Sequence, residues 1–223
     1  MPALTRASLT AALGELPQLD PAFGPWLARV EAPALPPRRP PFPCLTEAVL
    51  SQQVSGAAAE TICRRTFALC ADPAQPDAAD IRRLCDTEEG RLILRGAGVS
   101  PQKLGYLDAL AHAFSGGPLE AFPFARRSDE EIIAALTSVK GIGRWTAEMF
   151  LIFGLRRPDV FSPGDLGLRK GVARLYDLAD PSPAECARRA EAWQPYRSVA
   201  SLVLWRVAHW KEPSASTPSL VGK

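Results

Sequence analysis

The sequence predicts an all-α protein, and three observations support this. Apolar residues recur at helical spacing in most segments between residues 44 and 210. Helix-capping residues precede several of these segments, and no segment alternates apolar and polar residues as a half-buried strand does. The 223 residues are 47% hydrophobic and 22% charged, which is ordinary for a globular protein with a buried core. We therefore expect helices packed on helices.

The first 43 residues are predicted to form a short helix and an extended linker. The linker, APALPPRRPPFP at residues 32–43, contains too many prolines for a helix. The next segment, LTEAVLSQQVSGAAAETICRRTFALC, is predicted to form two helices with a break at residues 53–56. Residues 44–210 form the predicted body of the protein. Residues 211–223 are polar and turn-rich, and are predicted to be a loose tail.

Two later helices carry explicit start signals. Ser100 and Pro101 suit the N-cap and first position of the helix in SPQKLGYLDALAHAF. Ser128 with Glu131 three residues later forms a capping box at the start of RRSDEEIIAALTSV. Helical spacing predicts further helices in DAADIRRLC, RWTAEMFLIFGL, DLGLRKGVARLY, SPAECARRAEAW and YRSVASLVLWRVAHW.

A corner built from glycines, SVKGIG at residues 138–143, lies between two of these helices. Gly141 and Gly143 permit positive φ and the close approach of another backbone, and the following helix exposes its first amide N–H groups there. Lys140 and Arg144 add positive charge, so the corner is suited to bind a phosphate oxygen. An ordinary packing corner between two helices is the alternative interpretation.

Composition disfavours several other kinds of site. The five cysteines form no C-x-x-C pair and the two histidines lie far apart, so neither a disulfide framework nor a zinc site is expected. The N-terminus lacks a secretory signal, and no apolar run has the length of a membrane span. We expect a soluble, cytoplasmic protein without a membrane partner. A net charge of +2 says little about its other partners.

The segment LTSVKGIGRWTAEMF, followed by DVFSPGDLGLRKGV, resembles the helix-hairpin-helix superfamily of DNA glycosylases. AVLSQQVS and WQPYRSVASLVLW extend the resemblance from about residue 40 to about residue 210. The chain looks most like the AlkA-type 3-methyladenine DNA glycosylase II branch. The resemblance implies two helical subdomains with the active-site cleft between them and no N-terminal β-domain. It also implies a hairpin at about residues 128–153 and a catalytic loop at residues 161–166.

The resemblance implies roles for individual side chains. Asp165 matches the catalytic aspartate of the family, and Gln53 matches the side chain that fills the gap left by a flipped nucleotide. Trp145 and Trp205 match positions that line the pocket for the damaged base. Met149 stands where a pocket tyrosine is expected, so the sequence leaves the range of excised bases open.

The resemblance also implies that the glycine corner binds a DNA phosphate. The residues assigned to this contact are Lys140, Gly141, Ile142, Gly143, Arg144 and Thr146. The backbone carbonyls of Thr137, Val139 and Ile142 are expected to hold a structural Na⁺, K⁺ or similar cation at the same corner. No cofactor is required for the chemistry itself.

The implied activity is that of a monofunctional glycosylase acting on damaged double-stranded DNA. Trp145 stands where bifunctional relatives place a lysine that attacks the sugar, and an indole cannot form a Schiff base. The protein is expected to act as a monomer, flip out alkylated purines of the 3-methyladenine and 7-methylguanine type, and hydrolyse the N-glycosidic bond. The carboxylate of Asp165 would stabilise the oxocarbenium-like state.

Several alternatives remain open at the level of the sequence. A helix-hairpin-helix protein could bind DNA without catalysis, a helical interaction protein would not bind nucleic acid, and a glycosylase with lyase activity would cut the strand. Asp165 could simply cap the helix in LGLRKGV, and Gln53 could be a polar residue at a helix end. Trp145 and Trp205 could be core residues.

Overall fold

The computed structural model describes residues 3–35 and 37–212, and these form twelve α-helices with no β-strand among them. The all-α prediction is confirmed. The helices, α1 to α12 in chain order, are Arg6–Leu19, Phe23–Leu27, Pro41–Ser51, Gly56–Phe67, Ala78–Cys85, Glu88–Gly96, Pro101–Phe114, Asp129–Thr137, Arg144–Met149, Leu166–Tyr176, Pro183–Ala190 and Arg197–His209. Within the described part of the chain, no helix has the length and apolar character needed to cross a bilayer. The predicted loose tail lies almost entirely outside the described residues.

The predicted caps are present in the structure. The hydroxyl of Ser100 accepts a hydrogen bond from the amide of Lys103 at 3.3 Å, at the start of α7. Ser128 and Glu131 form the predicted capping box at the start of α8, because each side chain accepts a hydrogen bond from the other residue's amide. The predicted break between α3 and α4 falls at residues 52–55. Local sequence signals therefore fix where these helices begin.

The buried apolar side chains form two main clusters and one smaller cluster. The first cluster contains side chains of α3 to α9, such as Leu45, Leu107 and Leu136. The second is built mainly from α10, α11 and α12, and includes Leu168 and Val203. Trp205 of α12 is only partly buried and packs against all three clusters. The two helical subdomains therefore meet at this tryptophan.

The N-terminal helices α1 and α2 pack into the second cluster, so residues 6–27 lie against the predicted body of the protein. Leu16 of α1 is fully buried in that cluster. Asp20, which follows α1, accepts hydrogen bonds from the indole of Trp193 at 2.9 Å and from the hydroxyl of Tyr176. Burial, followed by the hydrogen bond to Asp20, raises the pKa of Tyr176 to about 12. A proline-rich composition predicts an extended connection, but it cannot predict where the preceding helix packs.

The end of the predicted linker also differs, because residues 41–43 form the first turn of α3. Pro41 occupies the first helical position, where the missing N–H has no helical partner to lose. α9 continues without a loop into a π-helical turn, Phe150–Gly154. This turn carries the chain from the hairpin toward the predicted catalytic loop.

Candidate active site

Asp165 is the N-cap residue of α10, and three N–H donors hold its carboxylate. Its Oδ1 accepts from the amide of Leu168 at 2.7 Å and from Nε1 of Trp205 at 2.9 Å, and its Oδ2 accepts from Nε1 of Trp145 at 2.8 Å. The capping interpretation is therefore correct, but a cap needs only the bond from Leu168. The two indole donors fix the orientation of the carboxylate and stabilise its negative charge, while Oδ2 retains a lone pair for another partner.

The chain just before Asp165 is anchored to α9 through a buried acid. The carboxylate of Glu148 accepts a hydrogen bond from the hydroxyl of Ser162 at 2.5 Å and one from Nε of Arg144 at 3.0 Å. The amide of Asp165 in turn donates to the carbonyl of Ser162 at 3.0 Å. Leu166, the last residue of the predicted catalytic loop, is already the first residue of α10. Asp165 is thus held through both its side chain and its backbone.

The two tryptophans that bind Asp165 lie in different environments. Trp145 is 46% exposed, so it is not a core residue. Trp205 is partly buried, and its ring stacks on that of Phe153 with 5.4 Å between centroids and 26° between planes. The sequence prediction missed Phe153. Its signal was the spacing of Trp145, Met149 and Phe153 at every fourth residue, which favours one face of a helix.

Met149 is buried in the first core cluster and lines a cavity of about 350 Å³. Phe153 lines the same cavity and also stacks on Trp205, so the cavity adjoins the residues around Asp165. A cavity of this volume is large enough for a small ligand. The rest of its wall comes from Pro37, Arg39, Cys44, Glu47, Ala48, Ser51, Phe150 and Gly154. The structure thus brings the two tryptophans together at Asp165 and places Met149 in a neighbouring wall.

The glycine corner connects α8 to α9 as predicted, but its two glycines have different conformations. Gly141 has φ of +92°, and a Cβ atom there would lie 2.2 Å from Cγ of Tyr106 on α7. Gly143 has φ of −90° and is extended, so of the two glycines only Gly141 uses the positive φ that glycine permits. A Cβ atom on Gly143 would meet nothing within 4 Å. Gly141 is therefore required by the packing of the protein, whereas Gly143 leaves an open surface.

The residues assigned to phosphate binding are not equally available. Lys140 is exposed and has no hydrogen-bond or ion-pair partner among the described residues. The guanidinium of Arg144 is already bound to the buried acid of α9 and to Glu130, which lies 2.6 Å away. The hydrogen bond from Arg144 lowers the pKa of Glu130. The side chains of Ile142 and Thr146 are buried, so these two residues can contact DNA only through their backbone.

The segment between α3 and α4, residues 52–55, is called the wedge turn below because it carries Gln53. Gln53 has φ of +56°, is exposed, and its side-chain amide has no partner within the described part of the chain. α3 ends at Ser51 with Gln52 as its C-cap, so Gln53 lies beyond the helix end. The side chain of Gln52 donates from Nε2 to the carbonyl of Gly141 at 3.0 Å. The wedge turn is therefore bonded directly to the glycine corner.

Comparison with known proteins gives a consistent family. Residues 46–195 match the model of the HhH-GPD superfamily of base excision DNA repair proteins. The chain is 36% identical over 173 residues to DNA-3-methyladenine glycosylase 1 of Schizosaccharomyces pombe, which spans 77% of this chain and 74% of that protein.

Two solved structures are similar over most of the chain. The 3-methyladenine DNA glycosylase Mag1 of Schizosaccharomyces pombe, in complex with abasic DNA, has a TM-score of 0.74 and 34% identity over 87% of this chain and 95% of that chain. A DNA-3-methyladenine glycosidase from Bacillus halodurans has a TM-score of 0.74 and 31% identity over 89% of each chain.

Proposed function

Since the chain belongs to the HhH-GPD superfamily of base excision DNA repair proteins, we propose that it is a monofunctional DNA glycosylase for alkylated purines. Its substrates are bases of the 3-methyladenine and 7-methylguanine type in damaged double-stranded DNA, and its product is an abasic site. It acts as a monomer in the cytoplasm. The observation that carries the proposal is the carboxylate of Asp165, which is held by two indole N–H groups in addition to its helix cap.

Asp165 acts by stabilising the positive charge that develops on the sugar as the base departs. Three N–H donors fix the position of its carboxylate, and a fixed position is what electrostatic stabilisation requires. The lone pair left on Oδ2 can face the sugar or orient the attacking water. A purine alkylated at N3 or N7 is cationic and leaves without protonation. A site with this single held carboxylate therefore suits such substrates.

The damaged base is proposed to lie against Trp145, Trp205 and the neighbouring wall that contains Met149. A cationic base gains about 0.5–2 kcal/mol over an aromatic face. Phe153 extends the aromatic surface from Trp205 into the cavity, which supplies the ring that Met149 lacks. Trp145 cannot form a Schiff base, so water is the nucleophile and the DNA strand stays intact.

The glycine corner is proposed to bind a DNA phosphate. The first backbone hydrogen bond of α9 runs from the amide of Ala147 to the carbonyl of Gly143, so the amides of Arg144, Trp145 and Thr146 have no partner within the helix. Gly143 keeps the surface beside them open, and Lys140 adds an unpaired positive charge. These contacts read no base, so they support binding to any duplex.

The same corner has carbonyl groups suited to a structural cation. The carbonyls of Thr137 and Ile142 accept no hydrogen bond from the described residues, and that of Val139 accepts only the amide of Ile142, at 3.1 Å. Carbonyl oxygens with free lone pairs are ligands that Na⁺ and K⁺ accept. A cation bound there would add positive charge opposite the phosphate.

Chromatography of the bases released from methylated duplex DNA tests the proposal. We expect free 3-methyladenine and 7-methylguanine to be released. The abasic sites left in the DNA should break the strand only after alkali is added. A gel shift of duplex DNA without release of any base would instead identify a non-catalytic DNA-binding protein. Strand scission before alkali would identify a glycosylase with lyase activity. If the protein does not bind DNA even at low salt, the helical interaction protein is the remaining alternative.

A further inference from the structure

Gln53 is held in a backbone conformation that its own residue type does not favour. Its φ of +56° is in the left-handed region, which residues other than glycine, asparagine and aspartate adopt rarely. Its exposed side chain makes no hydrogen bond with the described residues that would hold it there. We therefore expect contacts that hold this conformation among the neighbouring residues of the wedge turn.

Gln52 supplies such a contact. Its side chain is partly buried, and its Nε2 donates to the carbonyl of Gly141 at 3.0 Å, across 89 residues of sequence. The acceptor lies in a closely packed turn, because Gly141 has φ of +92° and packs against the ring of Tyr106. A side chain adjacent to Gln53 is thus tied to the residue at the centre of the glycine corner.

α7 supports both ends of this connection. It carries Tyr106, which packs under Gly141, and Lys103, whose buried side chain donates from Nζ to the carbonyl of Leu50 at 2.5 Å. Leu50 lies in the last turn of α3, immediately before the wedge turn. The helix end, the wedge turn and the glycine corner therefore share one support, and Gln52 is the side chain that bonds the wedge turn to the glycine corner.

We propose that Gln52 is a positioning residue that couples the phosphate-binding corner to the wedge turn and holds Gln53 ready to enter the duplex. The proposal rests on the proposed function, because it presumes a flipped nucleotide whose place Gln53 fills. Gln52 itself touches neither the base nor the sugar. Its loss should leave phosphate binding and chemistry intact and should reduce only the flipped population.

Fluorescence of 2-aminopurine placed beside a lesion reports flipping without requiring excision. Gln52→Ala is expected to reduce the flipped fraction about 2- to 5-fold, no more than the loss of Gln53 itself, as loss of one neutral hydrogen bond implies. Gln52→Met keeps the length of the side chain but lacks the N–H donor, so it should reduce the flipped fraction as much as Gln52→Ala does. Agreement between the two variants would show that the loss does not come from a folding defect of the alanine variant. The control is Gln75→Ala, because Gln75 is an exposed glutamine in a loop. Both Gln52 variants should match this control in their affinity for undamaged duplex and in their thermal midpoint of unfolding.

A double-mutant cycle decides whether Gln52 acts through Gln53. In a Gln53→Ala background, Gln52→Ala should have no further effect on flipping, because the side chain that it positions is gone. Additive losses would overturn the proposal, as would an equal loss of affinity for undamaged duplex. If the unmodified protein flips the lesion and the Gln52 variants flip it equally well, only this inference fails. If the unmodified protein neither flips nor excises, the proposed function fails with it.

Discussion

Asp165 and Gln53, the two residues assigned to act on the damaged nucleotide, are held in opposite ways. The side chain of Asp165 accepts three hydrogen bonds, from two tryptophans and a backbone amide. That of Gln53 is exposed and has no partner among the described residues. A catalytic charge stabilises a transition state only from a fixed position, whereas an inserted side chain must be free to leave water and enter the base stack. The fold therefore fixes the side chain of one residue and only the backbone of the other.

The hairpin connects these two regions. α9 contributes Trp145 to the carboxylate of Asp165, and the corner before α9 contributes the carbonyl of Gly141 to Gln52. A DNA phosphate bound at the corner would thus lie between the residue proposed to do the chemistry and the turn proposed to insert into the duplex. Variants on each side should separate the two roles.

The largest effect is expected for Asp165→Asn. The amide retains hydrogen-bonding capacity but removes the negative charge, so base release under single-turnover conditions should fall by about 10²-fold or more. Affinity for damaged duplex should be nearly unchanged. Asp177→Asn is the matched control, because Asp177 is exposed and its left-handed backbone suits asparagine. Near-normal base release by Asp165→Asn would remove the catalytic assignment.

The two glycines of the corner should respond differently to valine. Gly141→Val forces a side chain against Tyr106 at positive φ and should lower the free energy of unfolding by about 2–5 kcal/mol. Gly143→Val should fold normally but weaken binding to every duplex about tenfold, because it covers the open amides. Thermal unfolding and duplex titrations measure the two effects. Selective loss of binding to damaged DNA by Gly143→Val would contradict backbone anchoring.

Removing one indole donor should have a smaller effect than removing the charge. Trp145→Phe and Trp205→Phe each keep an aromatic ring but lose the N–H that binds Asp165, so base release should slow about 5- to 10-fold. The loss should appear in the rate of the bound complex more than in DNA affinity. Rates unchanged in both variants would show that Asp165 does not depend on its two donors.

The smallest effect is expected at the wedge turn. Gln53→Ala should reduce excision from a fully paired duplex about 2- to 5-fold, since insertion of one polar side chain is worth roughly one hydrogen bond. Gln53→Asn keeps the amide in a residue that favours left-handed backbone, so it should retain more activity. Single-turnover excision from the same duplex ranks the variants. An asparagine variant slower than the alanine variant would contradict the insertion role.

The sequence predicted the local features of the fold better than the contacts between its parts. The capping box at Ser128 and the break before α4 follow from neighbouring residues, and both were predicted correctly. The packing of α1 beside Trp193 depends on contacts across more than 170 residues, and the linker composition carries no information about it. Which of the two corner glycines adopts positive φ could not be predicted, because glycine permits both signs of φ.

In the candidate site, too, features set by neighbouring residues could be predicted and long-range contacts could not. Asp165 and its cap could be predicted because the acid and the helix that it starts are adjacent in sequence. The two indole bonds to its carboxylate could not, since they join residues 20 and 40 positions away. Phe153 left only a spacing signal, and Gln52 left none, because a bond to a distant carbonyl has no local pattern.

The most direct test of the separate roles of Asp165 in chemistry and Gln53 in insertion compares base release from two substrates. One is a fully paired duplex with a methylated purine, and the other places the same base opposite an abasic gap, where it is already unpaired. We predict that Asp165→Asn loses the same factor on both substrates, whereas Gln53→Ala loses activity only on the paired duplex. Equal losses by Gln53→Ala on both substrates, or a loss by Asp165→Asn confined to the paired duplex, would contradict the separate roles assigned to these two residues.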